Sequence, residues 1–122
     1  MPPDVEHLTA PEQLDTLLLE SSHRPLLLFK HSQTCGTSAQ ALDELAEYLE
    51  QADAGGRYAV VTVQTHRAVS NAVAERFGVR HETPQALLVM DGRVVWHASH
   101  YGVTAHAIAK AIAAHRGQAA PA

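Results

Sequence analysis

Leu26-Leu27-Leu28-Phe29 is an unbroken apolar run, preceded by Arg24-Pro25 and followed by Lys30-His31. A short apolar run with no polar alternation is a strand covered on both faces. Such a strand lies inside a sheet with helices above and below it, so this one segment restricts the layer architecture. The chain has 122 residues, the size of one domain, expected over 1–122 with a frayed tail over 116–122. Its hydrophobic share of 46% against 18% charged residues excludes a largely disordered chain.

The flanking segments alternate in period. Thr9-Ala10-Pro11-Glu12 has the pattern of a capping box, with Thr9 as N-cap and Glu12 reaching back. Leu14, Leu17 and Leu18 then predict a helix over about Ala10 to Glu20. After the buried strand, Leu42, Leu45, Ala46 and Leu49 predict an amphipathic helix to about Ala52, stopped by Gly55-Gly56. Tyr58 to Val63 is strand-like. Val69, Ala72, Val73 and Phe77 mark a helix ended by Gly78. Gln85–Met90 and Arg93–Ala98 read as strands joined by Asp91-Gly92, a hairpin signal. Thr104 is placed to cap a last helix bearing Ala105, Ile108, Ala109 and Ile112. The order α-β-α-β-α-β-β-α requires right-handed parallel crossovers and one antiparallel hairpin. It predicts an α/β fold of thioredoxin-like arrangement, a four-stranded mixed sheet with helices on both faces.

Charge and cysteine usage narrow the function. The net charge of −4 includes no basic surplus, so nucleic acid and anionic membranes are not expected partners. No apolar run approaches the ~20 residues of a membrane span. Met1-Pro2-Pro3-Asp4 lacks the basic and apolar parts of a signal peptide, and a cytoplasmic, reducing location is expected. The single cysteine, Cys35, excludes an internal disulfide and a cysteine-based zinc cluster within one chain.

Cys35 falls between the end of the buried strand and the start of a helix. Free amides and the helix dipole there stabilise an anion, and the thiolate is the reactive form. The polar neighbours Ser32, Gln33, Thr34, Thr37 and Ser38 make a poor wall for an inert buried thiol. The motif is Cys35-Gly36-Thr37-Ser38. A dithiol enzyme would have cysteine at the fourth position to break the mixed disulfide made by the first. Ser38 can only donate a hydrogen bond to the thiolate, so an adduct on Cys35 waits for an external thiol. Thr83-Pro84-Gln85 precedes the third strand, where thioredoxin-like proteins carry a cis-proline that faces the active cysteine.

Four segments taken together resemble the monothiol bacilliredoxin family. They are Leu27 to Cys35 (LLFKHSQTC), Ser70-Asn71, Val79 to Gln85 (VRHETPQ) and Val94 to His100 (VVWHASH). The resemblance runs from about Glu12 to His115. It departs at Gly36-Thr37, where relatives often have proline and an aliphatic residue. It implies removal of bacillithiol, a low-molecular-weight thiol, from protein mixed disulfides. The expected partners are bacillithiolated proteins, bacillithiol as co-substrate and possible recycling by another redoxin or reductase, with no tightly bound cofactor. Cys35, Thr34, Ser38 and Pro84 are the expected catalytic residues. Gly36, Thr37, Thr83, Ser99, His100 and Thr104 are the expected substrate contacts, because the last strand should end on the Cys35 edge and the next helix should present free amides there.

Two other readings stay open on sequence. One is a non-enzymatic binding module of the same fold whose Cys35 is merely modified. The other is a monothiol glutaredoxin-like protein that binds an iron–sulfur cluster with glutathione, suggested by Gly36. Against the latter, Thr37 replaces the phenylalanine of that signature, and Ser99-His100-Tyr101-Gly102 stands where a Gly-Gly pair is expected. Lys30 reads as a strand-end lysine reaching water, or as a charge that stabilises the thiolate. His31 should face the opposite side of the strand from Lys30. His97 and His100 are not spaced as metal ligands, and no metal is expected.

Overall fold

The computed structural model describes residues 5–34, 36–51 and 56–115. Cys35, Ala52 and Gly55 lie outside the described residues, as does the expected frayed tail over 116–122. The elements are β1 (Val5–His7), α1 (Pro11–Glu20), β2 (Leu26–His31), α2 (Gly36–Gln51), β3 (Arg57–Thr62), α3 (Arg67–Phe77), β4 (Gln85–Met90), β5 (Arg93–Ser99) and α4 (Ala105–His115). A single 3-10 turn, His100–Gly102, separates β5 from α4.

The sheet has five strands in the order β1-β3-β2-β4-β5. β1–β3 and β2–β3 are parallel, while β2–β4 and β4–β5 are antiparallel. The expected four-stranded sheet is therefore corrected by one strand, β1. Three residues cannot carry a periodic signal, and Val5-Glu6-His7 becomes a strand because β3 offers it an open parallel edge.

β2 is central, and its side chains divide by parity. Leu27 and Phe29 join a core with Ala41, Leu45, Ile108 and Ile112 under α2 and α4. Leu26 and Leu28 join a second core with Leu14, Leu17, Val69 and Val73 under α1 and α3. β4 divides the same way, with Leu88 in the first core and Leu87 in the second. The apolar run is thus covered on both faces, as its composition predicts.

The hairpin turn has Asp91 at φ 53° and Gly92 at φ 74°, the left-handed pair that matches strand twist. Both amides are also held from outside, Asp91 by the Ser21 carbonyl at 2.8 Å and Gly92 by Ser21 Oγ at 2.9 Å. Gly78 ends α3 in the left-handed conformation expected of it. The start of α1 is corrected by one residue. The N-cap is Ala10, Pro11 occupies the first helical turn, and Gln13 rather than Glu12 reaches back. Gln13 Oε1 accepts the amides of Thr9 at 2.6 Å and Ala10 at 2.9 Å. Thr104 caps α4 as expected, its Oγ1 accepting the Ala107 amide at 3.0 Å.

Candidate active site

One edge of the sheet gathers several of the expected site residues. In register across the strands, Lys30 of β2 lies opposite Gln85 of β4, and Gln85 lies opposite Ser99 of β5. The end of β2, the start of β4 and the end of β5 therefore share an edge, as hairpin geometry requires. α2 starts there at Gly36, the residue after Cys35.

The segment that leads to the cysteine is held by a side-chain network. Ser38, in the first turn of α2, is fully buried. Its Oγ accepts the Ser32 amide at 2.8 Å and lies 2.9 Å from His31 Nδ1. Burial lowers the pKa of His31, which favours the neutral ring. With Nδ1 bare, the Ser38 hydroxyl donates to it. With Nδ1 protonated, Ser38 accepts and its own proton is free for another acceptor. His31 therefore determines where the Ser38 proton points. As expected from parity, His31 stacks with Phe29 on the α2 side (centroids 6.3 Å apart), away from Lys30.

Gln64, just past β3, is a residue that sequence reading missed. Its Nε2 donates to Ser32 Oγ at 2.6 Å and Thr34 Oγ1 at 3.3 Å, and its Oε1 accepts the Gln33 amide at 3.1 Å. One side chain thus holds three consecutive residues before Cys35. No local pattern marks a glutamine after a strand for this role, since its contacts lie about thirty residues back. Gln64→Ala should accelerate hydrogen exchange at the Gln33 amide about 5-fold, the factor that ~1 kcal/mol of hydrogen bond represents. Unchanged exchange would mean that the segment is held without Gln64.

On the other side of the edge, the Thr83–Pro84 peptide bond is cis, as the fold order predicts. Pro84 is buried, Thr83 is half-buried, and the His100 amide donates to the Pro84 carbonyl at 3.0 Å. That bond brings Thr83, Pro84, Ser99 and His100 together. Thr34, Gly36 and His100 are exposed, whereas Thr37, Ser99 and Thr104 are half-buried. The α4 amides are less free than sequence suggests. Besides the Ala107 amide on Thr104, the Ala105 amide donates to Glu44 of α2 at 2.8 Å. Glu44 is a second residue that sequence reading missed.

Lys30 corrects a third expectation. It does not reach water but is 0% exposed. β2 is flanked by β3 and β4, and Lys30 follows the parity of Leu26 and Leu28 into the α1/α3 side. Burial pushes its pKa down from 10.5 to about 8. Its Nζ lies 3.1 Å from His81 Nδ1.

The fold compares directly with solved structures. A protein described as a candidate oxidoreductase with a thioredoxin fold is 27% identical over 88% of this chain and 93% of that one, with a TM-score of 0.79. Fasciola hepatica thioredoxin shares the fold at 18% identity over 91% of this chain and 99% of its own, with a TM-score of 0.72. Chloroplastic thioredoxin z does so at 17% identity over 96% and 98%, with a TM-score of 0.74. These likenesses show the thioredoxin-like fold, and the 27% identical oxidoreductase together with the family model gives the class, a thiol oxidoreductase. The family model for monothiol bacilliredoxin BrxC matches residues 6–108, and the chain belongs to that family.

Proposed function

We propose that the protein removes bacillithiol from protein mixed disulfides, with Cys35 as the sole nucleophile, in a reducing cytoplasm. The observation that carries this reading is that α2, which the only cysteine directly precedes in the sequence, begins at the edge where Thr83, Pro84, Ser99 and His100 converge, inside the family match. The Cys35 thiolate attacks the bacillithiol sulfur of the mixed disulfide. A sulfur–sulfur bond forms between Cys35 and bacillithiol, the original disulfide breaks, and the client leaves as a thiolate that takes a proton from water. A second bacillithiol thiolate, or another redoxin, then attacks the adduct. With bacillithiol as attacker, Cys35 is regenerated and bacillithiol disulfide is released, so the two electrons come from thiol outside the chain. Thr83 would meet the client backbone as a strand-like contact. His100 adds a donor for the malate carboxylates of bacillithiol.

Iodoacetamide alkylation of Cys35 as a function of pH tests the premise. The expected midpoint lies clearly below the ~8.5 of a free thiol, because an anion at a helix start is stabilised. A midpoint at or above that value would remove the thiolate on which the reaction depends.

A further inference from the structure

The mechanism above makes no use of the most buried cation in the fold. Lys30 has no ion pair among the described residues, whose four bridges all involve other groups. Its hydrogen-bond partner is His81 Nδ1 at 3.1 Å, and Ser70 Oγ of α3 lies 3.4 Å from the same nitrogen. Gln85, opposite Lys30 in register, is also buried, and its Nε2 donates to the Arg80 carbonyl at 3.0 Å. Two side chains on adjacent strands therefore hold two consecutive residues of the segment between α3 and β4. At the far end of that segment, His100 holds the Pro84 carbonyl. Thr83 lies between these tethers.

We propose that Lys30 and His81 are positioning residues: the buried amine, donating to His81 Nδ1, holds the 79–84 segment so that Thr83 meets the disulfide-bearing chain of a client. This rests on the reading that the molecule takes protein mixed disulfides. It predicts an effect on large substrates and not on the thiolate itself. A small disulfide has no backbone to lay against Thr83.

The tether depends on protonation. Nδ1 accepts only while His81 is neutral. Desolvation lowers the His81 pKa most, followed by the charges of Lys30 and of Arg67 on α3, while Glu82 opposes them. The other groups that face the pair, Ser70 on α3 and Gln85 on β4, do not titrate. As pH falls through the lowered His81 pKa, Nδ1 gains a proton and two cations stand where the bond was. The tether is therefore present near neutrality and is lost on the acid side.

The test uses the full chain with two bacillithiol mixed disulfides, one on a protein and one on a small thiol of similar leaving-group pKa. Lys30→Met keeps length and removes the amine, and an apolar replacement for a buried ion is tolerated. It should raise KM for the protein disulfide about 5–10-fold, leave the small disulfide and the Cys35 alkylation midpoint unchanged, and speed amide exchange over 79–83. His81→Asn retains an acceptor near the Nδ1 position that cannot be protonated. It should keep the neutral-pH KM and abolish the acid-side rise in KM, whereas His81→Leu should match Lys30→Met. Equal slowing of both disulfides with a shifted alkylation midpoint would mean that Lys30 acts by charge on the thiolate, which overturns the proposal. Unchanged exchange over 79–83 in Lys30→Met would overturn it too. Failure of the wild type on both disulfides would instead reject the proposed function, and the exchange measurement would still decide whether the tether exists.

Discussion

Replacing Cys35 by serine is expected to reduce release of bacillithiol from a client protein to the uncatalysed rate. No other side chain in the sequence can form the sulfur–sulfur bond, because Cys35 is the only thiol. Ser38→Ala is expected to slow release about 10- to 100-fold, the ~1.5–3 kcal/mol scale of one hydrogen bond to a charged group. Ser38 supplies no covalent step, and its Oγ is already engaged by the Ser32 amide and His31. The alanine variant should also lose some stability, since the Ser32 amide would be left without its acceptor. Mass spectrometry of a bacillithiolated client mixed with each variant separates the two roles. Activity in Cys35→Ser would reject the nucleophile. Complete loss in Ser38→Ala, with Cys35 still alkylated at the wild-type rate, would mean that Ser38 does more than tune.

Leu87→Ala should have the largest effect on stability. Leu87 is 0% exposed, on β4, facing the α1/α3 core beside Leu28 and Val73. Truncating a leucine at such a site costs ~2–5 kcal/mol, because the packed surroundings close the cavity only in part. For a domain of this size that lowers Tm by about 10 °C or more. Leu19 is the natural control. It is 79% exposed, and Leu19→Ala should stay within ~0.5 kcal/mol. Urea unfolding with an unchanged slope would confirm a native-state effect. A Leu87→Ala midpoint equal to that of Leu19→Ala would mean that the second core carries little of the stability.

Much of this fold was legible in the sequence because its signals are local. The run Leu26–Phe29 reports cover on both faces, Asp91-Gly92 reports a tight turn, and Gly78 and Thr104 report helix ends. The cap of α1 lies one position later than the Thr9–Glu12 pattern indicates, because Pro11 favours the first helical position and Gln13 supplies the oxygen that reaches back. The site was legible only in part, for a physical reason. Parity along β2 correctly sent His31 and Lys30 to opposite faces. It could not tell that Lys30 is buried, since lysine is rarely buried and its partner is 51 residues away. Gln64 and Glu44 act through contacts of the same long range, on Ser32–Thr34 and on α4. Nothing at their own positions distinguishes them from exposed polar residues.

The added strand β1 has a consequence for how the protein coexists with other copies of itself. An outermost strand carries a row of unpaired amides and carbonyls that can template pairing with a second chain. On the β3 side, that row belongs to a strand of three residues, too short to align a partner over any distance. Without β1, the six residues of β3, most of them buried and apolar, would form the border instead. On the opposite border, β5 presents seven residues, but the register shift against Leu88 and Val89 interrupts its regularity, and Arg93 and His97 are exposed along it. Among the described residues, one border of the sheet is thus a poor template for pairing by brevity, and the other by irregularity and polar side chains.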